Sequence, residues 1–296
     1  MTSDLPLVSV IIPTRNRGEQ LLQALRSVLA QSYAALEIIV VDDASSEDMR
    51  VVVATLDDPR IRLLRHAERR GGGAARNTGI RAASGDWIAF LDDDDEWLPD
   101  KLARQMERVR IAPGGEVPVV YTGEQYVDAA GDVLRILRPR KQGWILKDLL
   151  FGNYVGSTST VLAARSALLA VDGFDENQRS CQDWDLWIRM AERCPFYAAA
   201  EPLVIRHVYG QRIDSDLAAQ MQGRLQLLAK IEPHLVTLPR QERRRVLANH
   251  YLMLGAQCLA LGAPQQGREY ALRSLRENAG NVRSWRLLIK ATIRTL

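Results

Sequence analysis

The chain has 296 residues, of which 47% are hydrophobic and 25% charged, with 20 glycines and 12 prolines. This composition is globular and excludes a disordered or collagen-like protein, and the length suits one large or two modest domains. No apolar run approaches the roughly 18 residues that a membrane-spanning helix needs, and the N-terminal residues lack a signal-peptide pattern. The three cysteines form no CxxC pair, so we expect a cytoplasmic protein.

The formal net charge of +3 is unevenly distributed along the chain. Residues 1–210 carry 25 Lys and Arg against 30 Asp and Glu, whereas residues 211–296 carry 14 against 6. This asymmetry predicts two parts with different partners, a domain over 1–210 and a second domain over 211–296.

The first 110 residues alternate between strand-like and helix-like patterns. Apolar runs predict strands at 8–12, 37–41, 61–64 and 87–91, and the periodicity between them predicts helices at 20–31, 45–56, 74–83 and 100–110. This alternation indicates an α/β fold with a mostly parallel sheet and helices on both faces. Such sheets bind ligands beyond the carboxyl ends of their strands.

The pattern becomes less regular after the Pro/Gly segment 113–115. We predict a hairpin at 117–121 and 132–137, strands at 159–163 and 202–208, and helices at 144–151, 165–171 and 183–193. The pattern after residue 210 predicts helices nearly to the end of the chain. Within them, Tyr251, Leu254 and Gly255 are echoed 34 residues later by Trp285, Leu288 and Ile289, the period of a tetratricopeptide unit. A plain helical bundle explains so short a repeat equally well.

Polar residues follow three of the predicted strands. The first strand ends in Pro13-Thr14-Arg15-Asn16, the second in Asp42-Asp43, and the fourth in the acidic run 92–96. Because the carboxyl ends of parallel strands meet at one edge, we expect these clusters to converge. The spacing Asp92-x-Asp94 suits a hard divalent cation with oxygen ligands, although one acid of the run could instead cap the helix near Pro99.

Two further segments carry candidate polar groups. Gly71–Gly73 precedes a predicted helix and could cradle phosphate, but Arg76 stands where a GxGxxG motif has its third glycine, and no Walker lysine follows. Taken alone, these glycines favour a flexible surface loop. Asp183 and Asp185 begin a predicted helix, where each could act in catalysis or simply cap the helix.

Together these segments closely resemble the family 2 inverting glycosyltransferases of the GT-A fold. The resemblance covers about residues 7–210 and rests on VSVIIPTRNR, EIIVVDDASSE, GGGAARNTGIRAASGDWIAFLDDDDEWLPDKL, DGFDE and CQDWDLWIRM, in this order. It implies metal-dependent transfer of a sugar from a nucleoside-diphosphate donor, in many members a UDP-sugar, to a glycan or lipid-linked acceptor in polysaccharide or glycoconjugate biosynthesis.

The resemblance also implies roles for individual residues. The implied catalytic base is Asp183. The implied donor-binding residues are Pro13, Thr14, Arg15, Asp43, Arg76 and Asp93. The candidate ligands for Mn²⁺ or Mg²⁺ are Asp92, Asp94 and His207, and His207 is equally suited to a structural role. The candidate acceptor contacts are Trp184 and Asp185, and Trp97 offers another ring on which a sugar could stack.

Other classes of function stay open at this point. A nucleotidyltransferase would share the sheet and the acids, but it should have a Gly-rich loop with a basic residue where this chain has Pro13-Thr14-Arg15-Asn16. A scaffold protein would act through the helical part, and the intact Asp43, Asp92, Asp94 and Asp183 argue against a vestigial site. Solvent exposure is the usual explanation for clustered basic residues on helices such as those of the C-terminal part. This part could instead contact anionic lipid at the inner face of the membrane, and it lacks the motifs of a nucleic-acid-binding domain.

Overall fold

The structure is a computed structural model that describes residues 5–113, 116–178, 180–208 and 217–294. The chain divides into two compact units. The first comprises Met1–Leu146, Tyr154–Glu176 and Asp183–Gln211, and the second comprises Lys147–Asn153, Asn177–Gln182 and Arg212–Leu296. The predicted domain boundary between residues 210 and 211 lies outside the described residues, and the two-domain division at that point stays a prediction.

The first unit is built on one mixed sheet, as the α/β prediction requires. Over the described ranges its strands are β1 (Val8–Thr14), β2 (Leu36–Asp42), β3 (Ile61–Arg65), β4 (Trp87–Phe90), β5 (Asp95–Trp97), β6 (Val119–Val127), β7 (Val133–Leu137), β8 (Val161–Ala164) and β9 (Phe196–His207). The helices up to residue 191 are α1 (Gly18–Leu29), α2 (Met49–Ala54), α3 (Gly72–Ala82), α4 (Lys101–Arg110), α5 (Leu146–Phe151), α6 (Arg165–Leu169) and α7 (Gln182–Ala191). Of these, α5 belongs to the second unit from Lys147 onward.

The strand order is β3-β2-β1-β4-β8-β6-β9-β5, with β7 paired to β6. Strands β1 to β4 run parallel, and β8 is antiparallel to both of its neighbours. In the β1–β2 pair Thr14 lies opposite Asp42, and the amide of Leu91 donates to the carbonyl of Ile11 at 3.0 Å. The carboxyl ends of β1, β2 and β4 therefore lie at one edge of the sheet.

Strand β5 is the main element that the sequence does not predict. Residues 95–97 pair antiparallel with β9, so that Asp95 lies opposite Arg206 and Trp97 opposite Val204. The helix-cap interpretation of the acidic run is wrong, because α4 follows Asp100, whose side chain makes no capping bond. The acidic run thus leaves the sheet edge and returns to it within a few residues.

Helix α3 lies unusually close to β1. A Cβ atom on Gly79 would lie 2.4 Å from Cγ2 of Ile11, closer than real side chains allow. Gly79 and Ile11 are both buried, and the helix carries Arg76 and Asn77 three and two residues earlier. The interpretation of Gly71–Gly73 as a surface loop is also wrong, because Gly72 and Gly73 form the first turn of α3.

The second unit is helical. Its longer helices in the described part of the chain are α8 (Leu217–Thr237), α9 (Arg240–Ala260), α10 (Pro264–Glu277) and α11 (Val282–Ile293). Gly262, at φ +70°, ends the turn after α9, and Pro264 starts α10, where a missing amide costs nothing. A small apolar cluster of Leu259, Ala271, Leu287 and Ala291 joins α9, α10 and α11. None of the described helices combines the length and apolarity needed to cross a bilayer.

Helix α9 also closes the end of α5. Asn249 Nδ2 donates to the carbonyl of Phe151 at 2.7 Å, and His250 Nε2 lies 2.9 Å from the carbonyl of Leu150. These carbonyls belong to the last turn of α5 and have no acceptor role within that helix. His250 is fully buried, and burial lowers its pKa from 6.5 to about 4.

The buried histidine predicts a loss of stability in acid. Because the unfolded chain binds a proton near pH 6.5 and folded His250 does so only near pH 4, stability is fully present above about pH 6.5 and falls as the pH drops toward 4. Between about pH 7 and about pH 5 we expect a loss of about 2 kcal/mol in the free energy of unfolding. Urea denaturation of the parent chain and of His250→Gln, which should lack this component, measures it. The control is His234→Gln in α8. An unchanged pH slope in His250→Gln would contradict the assignment.

Candidate active site

Loops from the carboxyl ends of β1, β2 and β4 are joined by hydrogen bonds. Thr14 Oγ1 donates to Asp93 Oδ2 at 2.8 Å, and the amide of Asp43 donates to the carbonyl of Thr14 at 2.9 Å. Asn16 adopts a left-handed conformation at φ 53°, and its side-chain oxygen accepts from the amide of Ser46 at 2.7 Å. The predicted convergence of the strand ends is therefore present in the structure.

The Asp43 carboxylate holds the loop that leads into α3. Oδ1 accepts from the amide of Arg70 at 2.8 Å and lies 2.8 Å from His66 Nδ1, and Oδ2 accepts from the amide of Gly71 at 2.7 Å. Burial alone would raise the pKa of Asp43, but the bonds from Arg70, His66 and Gly71 outweigh it and lower the pKa. Gly71 has φ +91°, a backbone conformation that favours glycine. In this conformation its amide reaches the Asp43 carboxylate.

Arg76 projects from α3 onto the acidic run. Its Nη2 donates to Asp92 Oδ1, and its guanidinium carbon lies 5.5 Å from the centre of the Phe174 ring. Asn77 holds Phe174 in place, because its side-chain amide exchanges two hydrogen bonds of 2.8 Å with the Phe174 backbone. Gly173 makes this possible, since a Cβ there would lie 2.4 Å from Asn77 Oδ1. The GGGAARN and DGFDE segments thus position one cation beside Asp92.

Side chains from several elements bind the acids of the run 92–96. Thr158 Oγ1 donates to Asp92 at 2.9 Å, and Arg17 Nη1 lies 3.0 Å from Asp93 and 3.2 Å from Asp94. Asp95 accepts from Ser159 Oγ at 2.6 Å and from Arg206 Nε at 3.3 Å.

These surroundings shift the pKa values of three of the acids in different directions. Burial would raise the pKa of Asp92, but Arg76 outweighs it and the net shift is downward. Burial raises the pKa of Asp93 to about 6, although Arg17 and Thr14 act to lower it. Burial also raises the pKa of Asp95 to about 7, although Arg206 acts to lower it. The acids of one run therefore differ in how readily they carry charge.

Three of these acids form a group that could hold a cation. One carboxylate oxygen from each of Asp92, Asp94 and Asp95 lies within 4.8 Å of the others. A set of three carboxylate oxygens fits Mg²⁺ or Mn²⁺, which prefer oxygen ligands and retain water. Asp92 and Asp94 were expected from the sequence, and Asp95 is added by the geometry.

His207 lies beside the run but is not part of this group. Its Nε2 is 2.5 Å from Glu96 Oε1, across the β5–β9 pair. The structure therefore places His207 against the last acid of the run, and its role as a metal ligand stays a prediction.

Asp183 lies in the first turn of α7 and is partly buried. Burial raises the pKa of its carboxyl. The backbone N–H of Trp184 and the charge of Arg76 oppose this rise, whereas the charge of Asp92 adds to it. The pKa of Asp183 therefore depends on charges that also belong to the acidic run and its partner, and its role as the catalytic base stays a prediction.

The three side chains suggested for the acceptor or for sugar stacking are buried. Trp184 is 4% exposed, and Asp185 is 2% exposed and binds Arg189 at 3.0 and 2.7 Å. Trp97 is also buried, and its indole N–H donates to the carbonyl of Ser159 at 2.9 Å. The structure does not bring these side chains to a surface that a sugar could reach, because each is already held in the protein interior.

Several residues of the site carry no sequence signal of their own. Arg206 binds Asp95 only because β5 and β9 pair in this register. Ser159 donates to Asp95 Oδ2 and accepts from the amide of Asp92 at 3.0 Å, so it fixes two acids at once. Arg17 is different, because it directly follows the PTRN motif and could have been predicted as a cation facing the acids.

Comparison with known proteins decides the family. Residues 9–163 match the family model described as glycosyl transferase family 2. The chain belongs to glycosyl transferase family 2. The matched residues include the β1, β2 and β4 loops, α3 and the whole acidic run.

Two curated relatives of this family 2 glycosyltransferase are named for polysaccharide biosynthesis, and a third is named for the glycosyl transfer that it catalyses. The putative colanic acid biosynthesis glycosyl transferase WcaA of Escherichia coli K12 is 34% identical over 62% of this chain and 66% of its own length. The amylovoran biosynthesis glycosyltransferase AmsB of Erwinia amylovora is 30% identical over 77% and 78%. WfgD of Escherichia coli, a UDP-Glc:alpha-D-GlcNAc-diphosphoundecaprenol beta-1,3-glucosyltransferase, is 44% identical over 46% and 52%. The chain thus spans about half to about three quarters of these relatives.

Solved structures confirm the GT-A fold predicted from the sequence. TarS 1–349 of S. aureus in complex with UDP-GlcNAc has a TM-score of 0.58 at 15% identity, over 95% of this chain and 91% of that chain. The mannosyltransferase PcManGT of Pyrobaculum calidifontis, in complex with GDP-Man and Mn²⁺, has a TM-score of 0.60 at 21% identity, over 99% and 87%. At these identities the likeness shows the fold alone.

Ser159 provides a test of how the acidic run is held. In Ser159→Ala we expect the affinity for Mn²⁺ to fall about 10- to 100-fold, as is usual when a partner of a metal ligand is removed. The free energy of unfolding should fall by about 1–3 kcal/mol, because the buried Asp95 loses a donor. Calorimetric titration with Mn²⁺ and urea denaturation measure the two effects.

Ser157→Ala is the matched control for Ser159→Ala. The Ser157 hydroxyl donates to Glu124 Oε2 at 2.8 Å and is likewise buried. We expect this variant to lose stability but to retain its affinity for Mn²⁺. Equal affinities in the two variants would show that Ser159 does not position the acids.

Proposed function

We propose that this glycosyltransferase transfers a sugar from a UDP-sugar to a lipid-linked glycan, with inversion at the anomeric carbon. The observation that carries the proposal is the group of Asp92, Asp94 and Asp95, with one carboxylate oxygen from each within 4.8 Å of the others, beside the Arg76 guanidinium that binds Asp92. We place Asp183 on the acceptor side of this group, which supports a single displacement.

The donor side of this proposal uses the loops after β1 and β2. Asp43 has about four lone-pair positions, of which the bonds to His66, Arg70 and Gly71 use three. The remaining position can accept an N–H from the base of the nucleotide. Pro13 is half-buried, Thr14 is buried and Arg15 is exposed, so Arg15 can reach a ligand while Thr14 holds Asp93.

The diphosphate would lie beside Arg76 and the acidic run. We assign Asp92, Asp94 and Asp95 as ligands of a divalent cation, with His207 as a further candidate. When bound, Mn²⁺ or Mg²⁺ would act as a Lewis acid that stabilises negative charge on the diphosphate oxygens. The positive charge of Arg76, held by Phe174 and Asp92, acts on the same leaving group.

Asp183 is the proposed general base. An acceptor hydroxyl is a weak nucleophile, and a carboxylate that takes its proton during attack accelerates the step by about 10²–10⁴-fold. Burial raises the pKa of Asp183, which brings the carboxyl closer to the pKa suited to a base at neutral pH. A single displacement from the face opposite the leaving group inverts the sugar, whereas retention would need an intermediate.

The acceptor is proposed from the relatives rather than from contacts. WfgD acts on a sugar linked to diphosphoundecaprenol, and WcaA and AmsB are named for polysaccharide biosynthesis. A lipid-linked acceptor would bring this enzyme to the surface of a membrane, where a peripheral contact would assist the encounter. Trp184 and Asp185 are not assigned to the acceptor, because the fold buries both.

Asp183→Asn tests the base. The amide cannot accept the proton, so we expect transfer to fall about 10²–10⁴-fold while donor binding is retained. Release of nucleoside diphosphate with an acceptor present, and thermal shift with the donor alone, measure the two. Asp172→Asn is the control, because Asp172 is exposed and asparagine tolerates its left-handed φ of 58°. Normal turnover in Asp183→Asn, or an NMR spectrum showing retained configuration, would refute the mechanism.

Asp94→Asn tests the cation site and the donor class together. With a panel of nucleotide sugars and Mn²⁺ or Mg²⁺, we expect one donor to raise the melting temperature of the parent chain in a metal-dependent manner. Asp94→Asn should weaken this response at least about 10-fold in cation concentration, because a carboxylate ligand is lost. Asp86→Asn, an exposed acid before β4, is the control. An equal response in the presence of a chelator would exclude metal dependence.

A further inference from the structure

Helix α11 carries an exposed apolar stripe. Val282, Trp285, Ile289 and Ile293 are 61%, 49%, 57% and 66% exposed. Their spacing of three and four residues places them on one face of the helix. The opposite face, with Ser284, Leu287 and Ala291, is buried in the helical unit. We call the four exposed residues the α11 stripe.

Basic side chains lie along one flank of the α11 stripe. At 100° per residue, Arg283, Arg286, Lys290 and Arg294 centre about a quarter turn from it. Residues 278–296 contain no Asp or Glu, and across the described ranges no acid forms an ion pair with these four side chains. Apolar and cationic surfaces therefore lie side by side on α11.

A cavity lined by arginines adjoins the α11 stripe. It has a volume of about 640 Å³, and its walls are Arg240, Gln241, Arg244, Arg245, Glu277, Asn278 and Ala279, so that three arginines face one acid. Arg244 is held in place by the carbonyl of Arg276 at 2.7 Å and by Glu277 at 3.5 Å. The carbonyl of Ala279 accepts from the Trp285 indole N–H at 2.8 Å, so the cavity wall and the stripe share this contact.

We propose that the α11 stripe and the arginine cavity together form a docking surface for an anionic lipid bilayer. The stripe enters the boundary between headgroups and acyl chains, and a lipid phosphate occupies the cavity. A bilayer offers apolar acyl chains and negatively charged headgroups at the same interface. The α11 stripe matches the first, and the arginines match the second. A second copy of the chain would instead bring like charges together. The inference does not depend on the proposed reaction.

Sedimentation of the full chain with vesicles tests the surface. We expect binding to phosphatidylcholine vesicles that contain phosphatidylglycerol, weakening as salt increases, and little binding to phosphatidylcholine alone. Arg240→Gln with Arg245→Gln should weaken binding about 5-fold for each arginine, since each contributes about 1 kcal/mol. Ile289→Ser with Ile293→Ser should weaken it at least about 10-fold.

Matched controls use the same substitutions elsewhere. Val51→Ser on α2 has the same exposure as Ile293, 66%, and Arg26→Gln changes an exposed arginine on α1. Both should bind vesicles as the parent chain does. Equal melting temperatures establish that the variants fold. Independently of these, quenching of tryptophan fluorescence by brominated phosphatidylglycerol should be reduced in Trp285→Phe.

Three results would overturn the proposal. The first is equal binding to neutral and anionic vesicles, or no binding to either. The second is undiminished binding in both double variants, or quenching that does not change in Trp285→Phe. The third is a dimeric parent chain, measured by light scattering, that becomes monomeric in Ile289→Ser with Ile293→Ser while neither protein binds vesicles. That result would make the α11 stripe a self-association surface.

Discussion

The arrangement of the first unit depends on compensating a run of adjacent carboxylates at the edge of its sheet. Placing such charges together and partly away from water is costly unless each acquires a counter-charge or donor. Arg76 from α3, Arg17 from the start of α1 and Arg206 from β9 supply the cations, and Ser159 and Thr158 supply hydroxyls. Elements distant in the sequence are therefore tied to one short segment.

This compensation also makes the acids of the run differ in pKa. The cations leave the acids unequal, with the pKa of Asp92 lowered and the pKa values of Asp93 and Asp95 raised to about 6 and about 7. A carboxylate that stays charged beside others that protonate more readily is a common property of functional sites. The close packing of Gly79 on Ile11 brings Arg76 to its partner, so a backbone contact inside the core has an effect at the sheet edge.

The sequence predicted the parallel half of the fold well because its signals are local. Apolar runs and helical periodicity identified β1 to β4 and α1 to α4 to within a few residues, and the order of the motifs identified the family. The pairing of β5 with β9 was missed, because a strand of Asp95, Glu96 and Trp97 has no apolar alternation. The partners of the acids were missed for the same reason, since Arg206 and Ser159 acquire meaning only through long-range register. The burial of Trp184 and Asp185 was likewise set by packing of α7 that spacing does not show.

The clamp between Asp43 and the Gly71 amide has a consequence for how a ligand would be received. A loop that must order itself on binding loses conformational entropy at that moment, which weakens the affinity. Here the segment from His66 to Gly71 is already fastened to the end of β2. A nucleotide that binds at this edge would therefore contact a loop that is already ordered. Little of its binding free energy would be spent on fixing that loop.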